Sequence, residues 1–282
     1  MTDLQAYLIA IIQGATELFP ISSLGHAVVL PAVLHWGIDQ RSVDFLPFLV
    51  LLHTGTALAL LAFFWRDWLA LGLGVVGAGP ADKVRESRHL LLLIVVATIP
   101  AVILGFGLNK FLKELFASPL IAAAFLVLNG FMLLVGEQLR TRPGADRIDK
   151  RLGLMTMSDA LIIGLWQCLA LLPGLSRAGA TMVGGLLRGF DHERSARFSF
   201  LIALPIIVGA TALEVPHLMR AGIAPGVLQT SIIAAILAGI TAWLATAFLM
   251  RYFRDHDAWA LKPFAMYCIV VGAAAAGWLV LA

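Results

Sequence analysis

Six uninterrupted apolar runs constrain this chain more tightly than any other feature. They cover residues 45–65, 90–108, 119–136, 198–218, 228–250 and 263–282. Each reaches the roughly 18 residues that a helix needs to cross hydrocarbon. Inside a bilayer the backbone must satisfy its own polar groups, so runs of this length span as helices. Charged residues make up 13% of the chain, against about 25% in soluble domains. The run at 198–218 carries Pro205 and Pro216, which a spanning helix tolerates when neighbours re-satisfy the freed backbone groups. The reading is an all-α polytopic membrane protein, a single membrane domain over residues 1–282.

Four further apolar runs are short: 4–19, 27–38, 158–172 and 178–189. They pair around two breaks, PISSLG and PGLSRAG. Segments 27–38 and 178–189 hold twelve residues each, about 18 Å of helix against a core of about 30 Å. Two re-entrant hairpins, 4–38 and 158–189, fit that length better than tilted hairpins that cross fully. Irregular backbone at membrane depth must be buried in protein or line a wet cavity. The Gly-rich stretch 69–79 is too short to span and reads as a connector near the interface, leading into DKVRESRH. Cys168 and Cys268 sit in apolar runs without metal or disulfide spacing and read as buried small hydrophobes. The start, MTDLQ, lacks the basic segment of a cleaved signal peptide, so insertion through the internal helices is expected.

The halves repeat. An offset of 153 places Pro20 on Pro173, Ser23 on Ser176 and Phe45 on Phe198; an offset of 154 pairs Gly55 with Gly209 and Arg66 with Arg220. Repeat 1 covers about 1–136 and repeat 2 about 158–282, each a broken hairpin followed by three spans. Three crossings separate the copies, so the second is inverted. Lys and Arg test this arrangement. Loops 66–89, 137–157, 188–197 and 251–262 hold fifteen of the twenty, and the opposite side holds Arg41, Lys110, Lys113 and Arg220. The bias makes the first side cytoplasmic. Both termini then face outward, hairpin 1 enters from outside and hairpin 2 from the cytoplasm, so the two breaks can meet within the membrane.

Each break leaves a half-helix N-terminus pointing inward, with unpaired N–H groups and a positive dipole end that suit an anion. Ser22 or Ser23 is a candidate N-cap. Arg177, inside the second break, is costly at membrane depth and marks a functional site; its guanidinium fork matches phosphate. The structural alternative is an ion pair with Glu17, and the two roles are compatible. Ser23 and His26 are three apart and share a helical face, a nucleophile and a base in one turn. Gly25 lets a ligand approach the backbone closely. Thr181, four after Arg177, offers a hydroxyl to the same phosphate or bonds back to its own helix. His53 and Glu214 also interrupt apolar runs and rank below the loop residues, because no motif surrounds them.

On QGATELFPISSLGH and LPGLSRAGAT the chain resembles the undecaprenyl-diphosphate phosphatase family, the bacterial bacitracin-resistance membrane proteins. The resemblance spans essentially the whole chain. It implies six spanning helices and two re-entrant hairpins in an inverted repeat, often dimeric, in the bacterial inner membrane with the site opening outward. The side that both termini face is then expected to be the periplasm. It also implies hydrolysis of a C55 polyprenyl diphosphate to the monophosphate and phosphate, which recycles the carrier for peptidoglycan. Glu17, Ser23 and His26 match its catalytic positions. Ser176, Arg177 and Thr181 match its second motif, and Ser22, Gly25 and Gly174 join them as substrate-binding residues. Ser23 attacks and His26 serves as base or acid in the expected scheme, with the family models open on which of the two attacks. A Mg²⁺ or Ca²⁺ ion on Glu17 and Gln13 is the family expectation, weakened because Gln13 stands where a first glutamate is usual. Leu24 and Ala178 are further departures, which leave nucleophile, base and arginine in place.

The partners expected are the lipid substrate, the membrane and a second copy of the chain, with no nucleic acid. Two rivals remain to weigh. A transporter or flippase of an anionic lipid would use the same inverted-repeat anion site, without need of Ser23 and His26. The other lipid-phosphatase superfamily requires a histidine where Met182 and Val183 stand, and is rejected.

Overall fold

The computed structural model describes residues 1–38, 45–108, 115, 118–141, 152–221 and 225–281, with side chains at all of these but 45–47, 213–221, 225 and 227. Arg41, Lys110, Lys113 and the basic residues of 142–151 lie outside the described residues, as do the side chains of Glu214, Pro216 and Arg220. Every regular element among the described residues is helical. In chain order they are α1 (Asp3–Thr16), α2 (Ser23–Val33), α3 (Phe45–Phe63), α4 (Trp65–Val76), α5 (Ala81–Gly107) and α6 (Pro119–Arg140). They continue with α7 (Met157–Gln167), α8 (Arg177–Leu187), α9 (His192–Ala221), α10 (Pro225–Asp255) and α11 (Lys262–Leu281).

Five helices are long and apolar enough to cross a membrane: α5, α6, α9, α10 and α11. A sixth results if α3 and α4 count as one span, although they meet at a 78° bend. All six apolar runs therefore lie on helices. Helix α5 begins at Ala81, nine residues before the apolar run does, because DKVRESRH carries no helix breaker and simply extends the helix past its greasy part. The stretch read as a connector is helical too, since α4 ends only at Gly77, whose φ of +74° closes the helix in the left-handed form glycine permits.

The short helices start on matched caps. Thr2 and Thr156 each head a capping box, with Gln5 and Asp159 returning the bond. Ser22 caps α2 and Ser176 caps α8, each accepting from the N–H three residues on, Gly25 at 3.2 Å and Gly179 at 3.1 Å. These pairs are 154 apart throughout. The 153 register, which set Ser23 against Ser176, is corrected by the caps: Ser23 corresponds to Arg177.

Close packing of small residues brings the backbones together, the usual device where lipid supplies no hydrophobic drive. A Cβ at Gly14 or Gly55 would run into the backbone of Ala238 or Ala235 on α10. Gly164 meets Ala97 on α5, and Gly130 meets Ala265 on α11. At one end of the bundle a buried network ties α6 to the loop before α11. His192 Nε2 donates to Glu137 Oε1 at 2.9 Å, Leu261 N donates to the same oxygen, and Arg140 grips the Asp257 carboxylate with Nη2.

Candidate active site

Pro20 lacks an amide hydrogen and cannot continue α1, so the chain leaves the helix at Glu17, the C-cap, and re-enters one at Ser23. Ser22 makes this turn with φ +68°, unusual for a residue with a Cβ. In the second break the corresponding freedom falls to Gly174, at φ +102°. The two breaks touch: Ser176 Oγ donates to Phe19 O at 3.2 Å, and a Cβ on Gly25 would lie 3.1 Å from Gly174 Cα.

Between them lies a cavity of 360 Å³ lined by both, within the range of small-ligand sites. Its polar lining is Glu17, Ser22, Ser23, His53, Gln167, Ser176, Arg177 and Thr211, set among aliphatic residues of α3, α5 and α9. Glu17 is the hub. Its Oε2 accepts from Ser23 Oγ at 2.5 Å and from Gln13 Nε2 at 2.9 Å, and its Oε1 faces Arg177 Nη2 at 3.5 Å. Arg177 is anchored by donating Nη1 to Ser199 O at 3.1 Å. A carboxylate at a helix C-terminus meets the negative end of the dipole. Here the arginine, the serine hydroxyl and the Gln13 amide offset that cost. The expected ion pair with Glu17 forms, and the guanidinium still lines the cavity.

The expected Ser23–His26 pair does not form. His26 Nδ1 donates to Ser22 O at 2.6 Å, and its Nε2 meets the Tyr267 hydroxyl at 2.9 Å, with the two rings stacked. Residues three apart share a face, but the bond back to its own helix turns this imidazole away from the cavity. Thr181 takes the alternative reading: its hydroxyl donates to Arg177 O at 2.8 Å and meets Ser199 Oγ at 2.6 Å. It supports the arginine without lining the cavity. Gly25 and Gly174 do not line it either. Gly25 faces Gly174, and Gly174 packs on α6, where a Cβ would strike Ala122 O and Phe125. Gly25 thus lets the two breaks meet and Gly174 lets the second break reach α6; at Gly25 the sequence had suggested a close approach to ligand. Ser22, Ser23, Glu17, Ser176 and Arg177 converge as expected.

His53 is the residue the sequence ranked too low. Its Nδ1 lies 2.8 Å from Leu49 O and must carry the proton. Its Nε2 is left to accept from Gln13 Nε2 at 3.1 Å, 3.6 Å from Glu17 Oε2. The only signal available was a lone histidine in an apolar run, because its partner lies 40 residues away.

For a metal ion the donors are few. Among the described residues no three His, Cys, Asp or Glu side chains gather into a cage. Gln13 Oε1, however, is buried without a hydrogen-bond partner. Turned over, that amide would present its oxygen beside Glu17 Oε2. Mg²⁺ is commonly held by one or two carboxylates plus the phosphates of its substrate, so Glu17, Gln13 and a bound diphosphate fit such an ion.

Known proteins match this chain over nearly its whole length. The family described as bacitracin resistance protein BacA matches residues 6–274. An undecaprenyl-diphosphatase of Granulibacter bethesdensis is 62% identical, covering 99% of this chain and 97% of the relative. One of Acidiphilium cryptum is 58% identical over 97% and 96%. A third, from Gluconacetobacter diazotrophicus, is 52% identical over 97% and 95%.

Proposed function

Because the chain belongs to the family of the bacitracin resistance protein BacA, we infer that it hydrolyses undecaprenyl diphosphate to undecaprenyl phosphate and inorganic phosphate. This recycles the lipid carrier of peptidoglycan synthesis and underlies bacitracin resistance. The observation that carries the residue-level reading is the Ser23 hydroxyl held at 2.5 Å on Glu17 Oε2, with Arg177 on the other carboxylate oxygen.

In this mechanism the terminal phosphate sits between the N-termini of α2 and α8, whose first-turn N–H groups and dipoles suit an anion. Arg177 swings its fork from Glu17 to phosphate oxygens as they enter. Glu17, freed of its cation, accepts the Ser23 proton while Ser23 Oγ bonds to the terminal phosphorus. The bond from that phosphorus to the bridging oxygen breaks, and undecaprenyl phosphate leaves. Glu17 gives the proton from Ser23 to that departing phosphate. Water then attacks the phosphoserine as Glu17 takes one of its protons and returns it to Ser23 Oγ, and inorganic phosphate is released with Ser23 restored. Arg177 and the helix N-termini hold the equatorial charge throughout, the main requirement of phosphoryl transfer. His53 and Gln13 orient the carboxylate. A divalent ion, when bound by Glu17 and Gln13 Oε1, adds charge neutralisation to the diphosphate. His26 stays outside the chemistry.

The wider arrangement belongs to the same proposal. Helices α1–α2 and α7–α8 are re-entrant hairpins heading two inverted repeats, supported by their lengths and by the caps 154 residues apart. In this reading the chain makes six spans with both termini on the periplasmic side of the inner membrane, supported by the basic loops, and a cavity mouth on that side rests on the family resemblance. Pairing into a homodimer rests on the family resemblance.

Phosphate release from a C55 prenyl diphosphate in detergent micelles tests the reading, comparing the intact chain with Ser23→Ala, Glu17→Gln and Arg177→Ala, with and without chelator. Release by the intact chain and loss in all three variants is expected. Full release by Ser23→Ala would exclude the serine mechanism. Lipid bound without any release would favour transport.

A further inference from the structure

Asn129 is fully buried on α6 and outside the cavity, yet its amide is spent mainly on the two breaks. Nδ2 donates to Pro20 O at 2.8 Å, and Oδ1 accepts from Ser176 N at 2.9 Å. A third contact runs from Nδ2 to Cys268 Sγ at 3.3 Å. The amide orientation follows from its partners, since a carbonyl can only accept and a backbone N–H can only donate. Pro20 lies three residues after Glu17 and three before Ser23, and Ser176 immediately precedes Arg177. One side chain therefore touches the backbone of both segments that carry the reacting groups.

The post that holds this amide is rigid. Gly130, the next residue, sits against Ala265 of α11, and Gly272 of α11 sits against Ala123 of α6. Backbones this close cannot slide past one another without displacing main chain. The Ser176 N–H and the Pro20 carbonyl are also groups that the broken helices leave without their regular partners, and at membrane depth each would be costly unpaired. A hydrophobic residue would satisfy neither, and a carboxylate only the first.

We propose that Asn129 is a positioning residue that sets the spacing between the Ser23–Glu17 pair and Arg177 by clamping both breaks to α6. The proposal rests on the phosphatase reading of the cavity. Its consequence lies in the transition state: a small misplacement of aligned reacting groups costs rate far more than it costs ground-state binding. Asn129 is buried and does not line the cavity, so affinity should be spared.

Steady-state phosphate release from C55 prenyl diphosphate, with thermal unfolding in the same detergent, tests this on Asn129→Asp, Asn129→Leu and Cys268→Ala. In Asn129→Asp, a near-isostere, the bond to Pro20 O is lost and the Ser176 bond is kept; Asn129→Leu loses both. At a temperature where all are folded, kcat should fall at least about tenfold in the Asp variant and further in the Leu variant. KM should stay within about twofold of the intact chain. Cys268→Ala removes the third contact and a long one from Sγ to Pro20 O at 4.0 Å, leaves both amide bonds of Asn129 in place, and should keep its full rate. A folded Asn129→Asp with unchanged kcat, a raised KM with kcat preserved, or a rate that falls only in proportion to unfolded protein would each overturn the proposal. An intact chain that releases no phosphate would instead overturn the phosphatase reading beneath it.

Discussion

The two breaks share a frame and differ in cargo. Each has a serine capping its half-helix through a bond of nearly equal length, and each has one residue at positive φ, Ser22 in the first and Gly174 in the second. After the cap, the first continues with Ser23 and the second with Arg177; before it, the first holds Glu17 where the second holds Leu171. Ser23 and Glu17 thus sit on one wall of the cavity and Arg177 on the other. In the proposed mechanism a repeated scaffold supplies two N-termini for one anion, and the chemistry comes from what differs between them. Had both breaks carried Ser and Glu, the diphosphate would face two carboxylates with no side-chain cation between them.

The largest expected effects break this division of labour. Ser23→Ala should lower phosphate release by about a thousandfold or more, measured under single-turnover conditions to separate chemistry from product release. Next, Arg177→Lys should cost about a hundredfold or more, because an ammonium cannot reproduce the planar fork on two phosphate oxygens. Near-normal activity in that variant would reduce the second break to a general positive charge.

Smaller effects sharpen the comparison of the frames. Ser22→Ala and Ser176→Ala each lose a helix cap, worth about 1 kcal/mol, read as a lowered unfolding midpoint in detergent. Glycine should separate them: Ser22→Gly relaxes a positive φ, whereas Ser176, at φ −81°, gains no such relief. His26→Gln loses its contacts to Ser22 O and Tyr267, and phosphate release should fall less than about tenfold. The smallest effect lies away from both breaks. The Asp257 carboxyl is raised by burial but lowered more by Arg140 and His192, ending below its ordinary value. A depressed pKa contributes stability that is present above the unfolded value and lost as pH falls through the folded one. The loss therefore belongs below about pH 4, and Asp257→Asn should flatten that acid limb of a melting-temperature profile.

Much of this was legible in the chain. Among the described residues, length and hydropathy located the five helices long enough to span and the bent α3–α4 pair, because apolar runs in a bilayer leave the backbone no alternative. Pro20 and the Pro173–Gly174 pair marked where helices must stop, and Glu17, Ser23 and Arg177 converge because those stops face one another. What failed did so for a physical reason. The spacing of Ser23 and His26 fixed a shared face but not the direction of the imidazole, which the Ser22 carbonyl and Tyr267, 241 residues away, decide. His53 and Asn129 were hidden for the same reason: a lone polar residue in an apolar run shows its cost but not its partner. The glycines were seen, but a missing side chain reads the same whether a ligand or another segment comes close.

The most direct test of the account is to stop turnover of a C55 diphosphate labelled in its terminal phosphate within milliseconds and map the label by peptide mass spectrometry. The account predicts transient phosphate on Ser23 in the intact chain, and none there in Glu17→Gln or Arg177→Ala. Label on His26, or turnover with no labelled intermediate on Ser23, would contradict it.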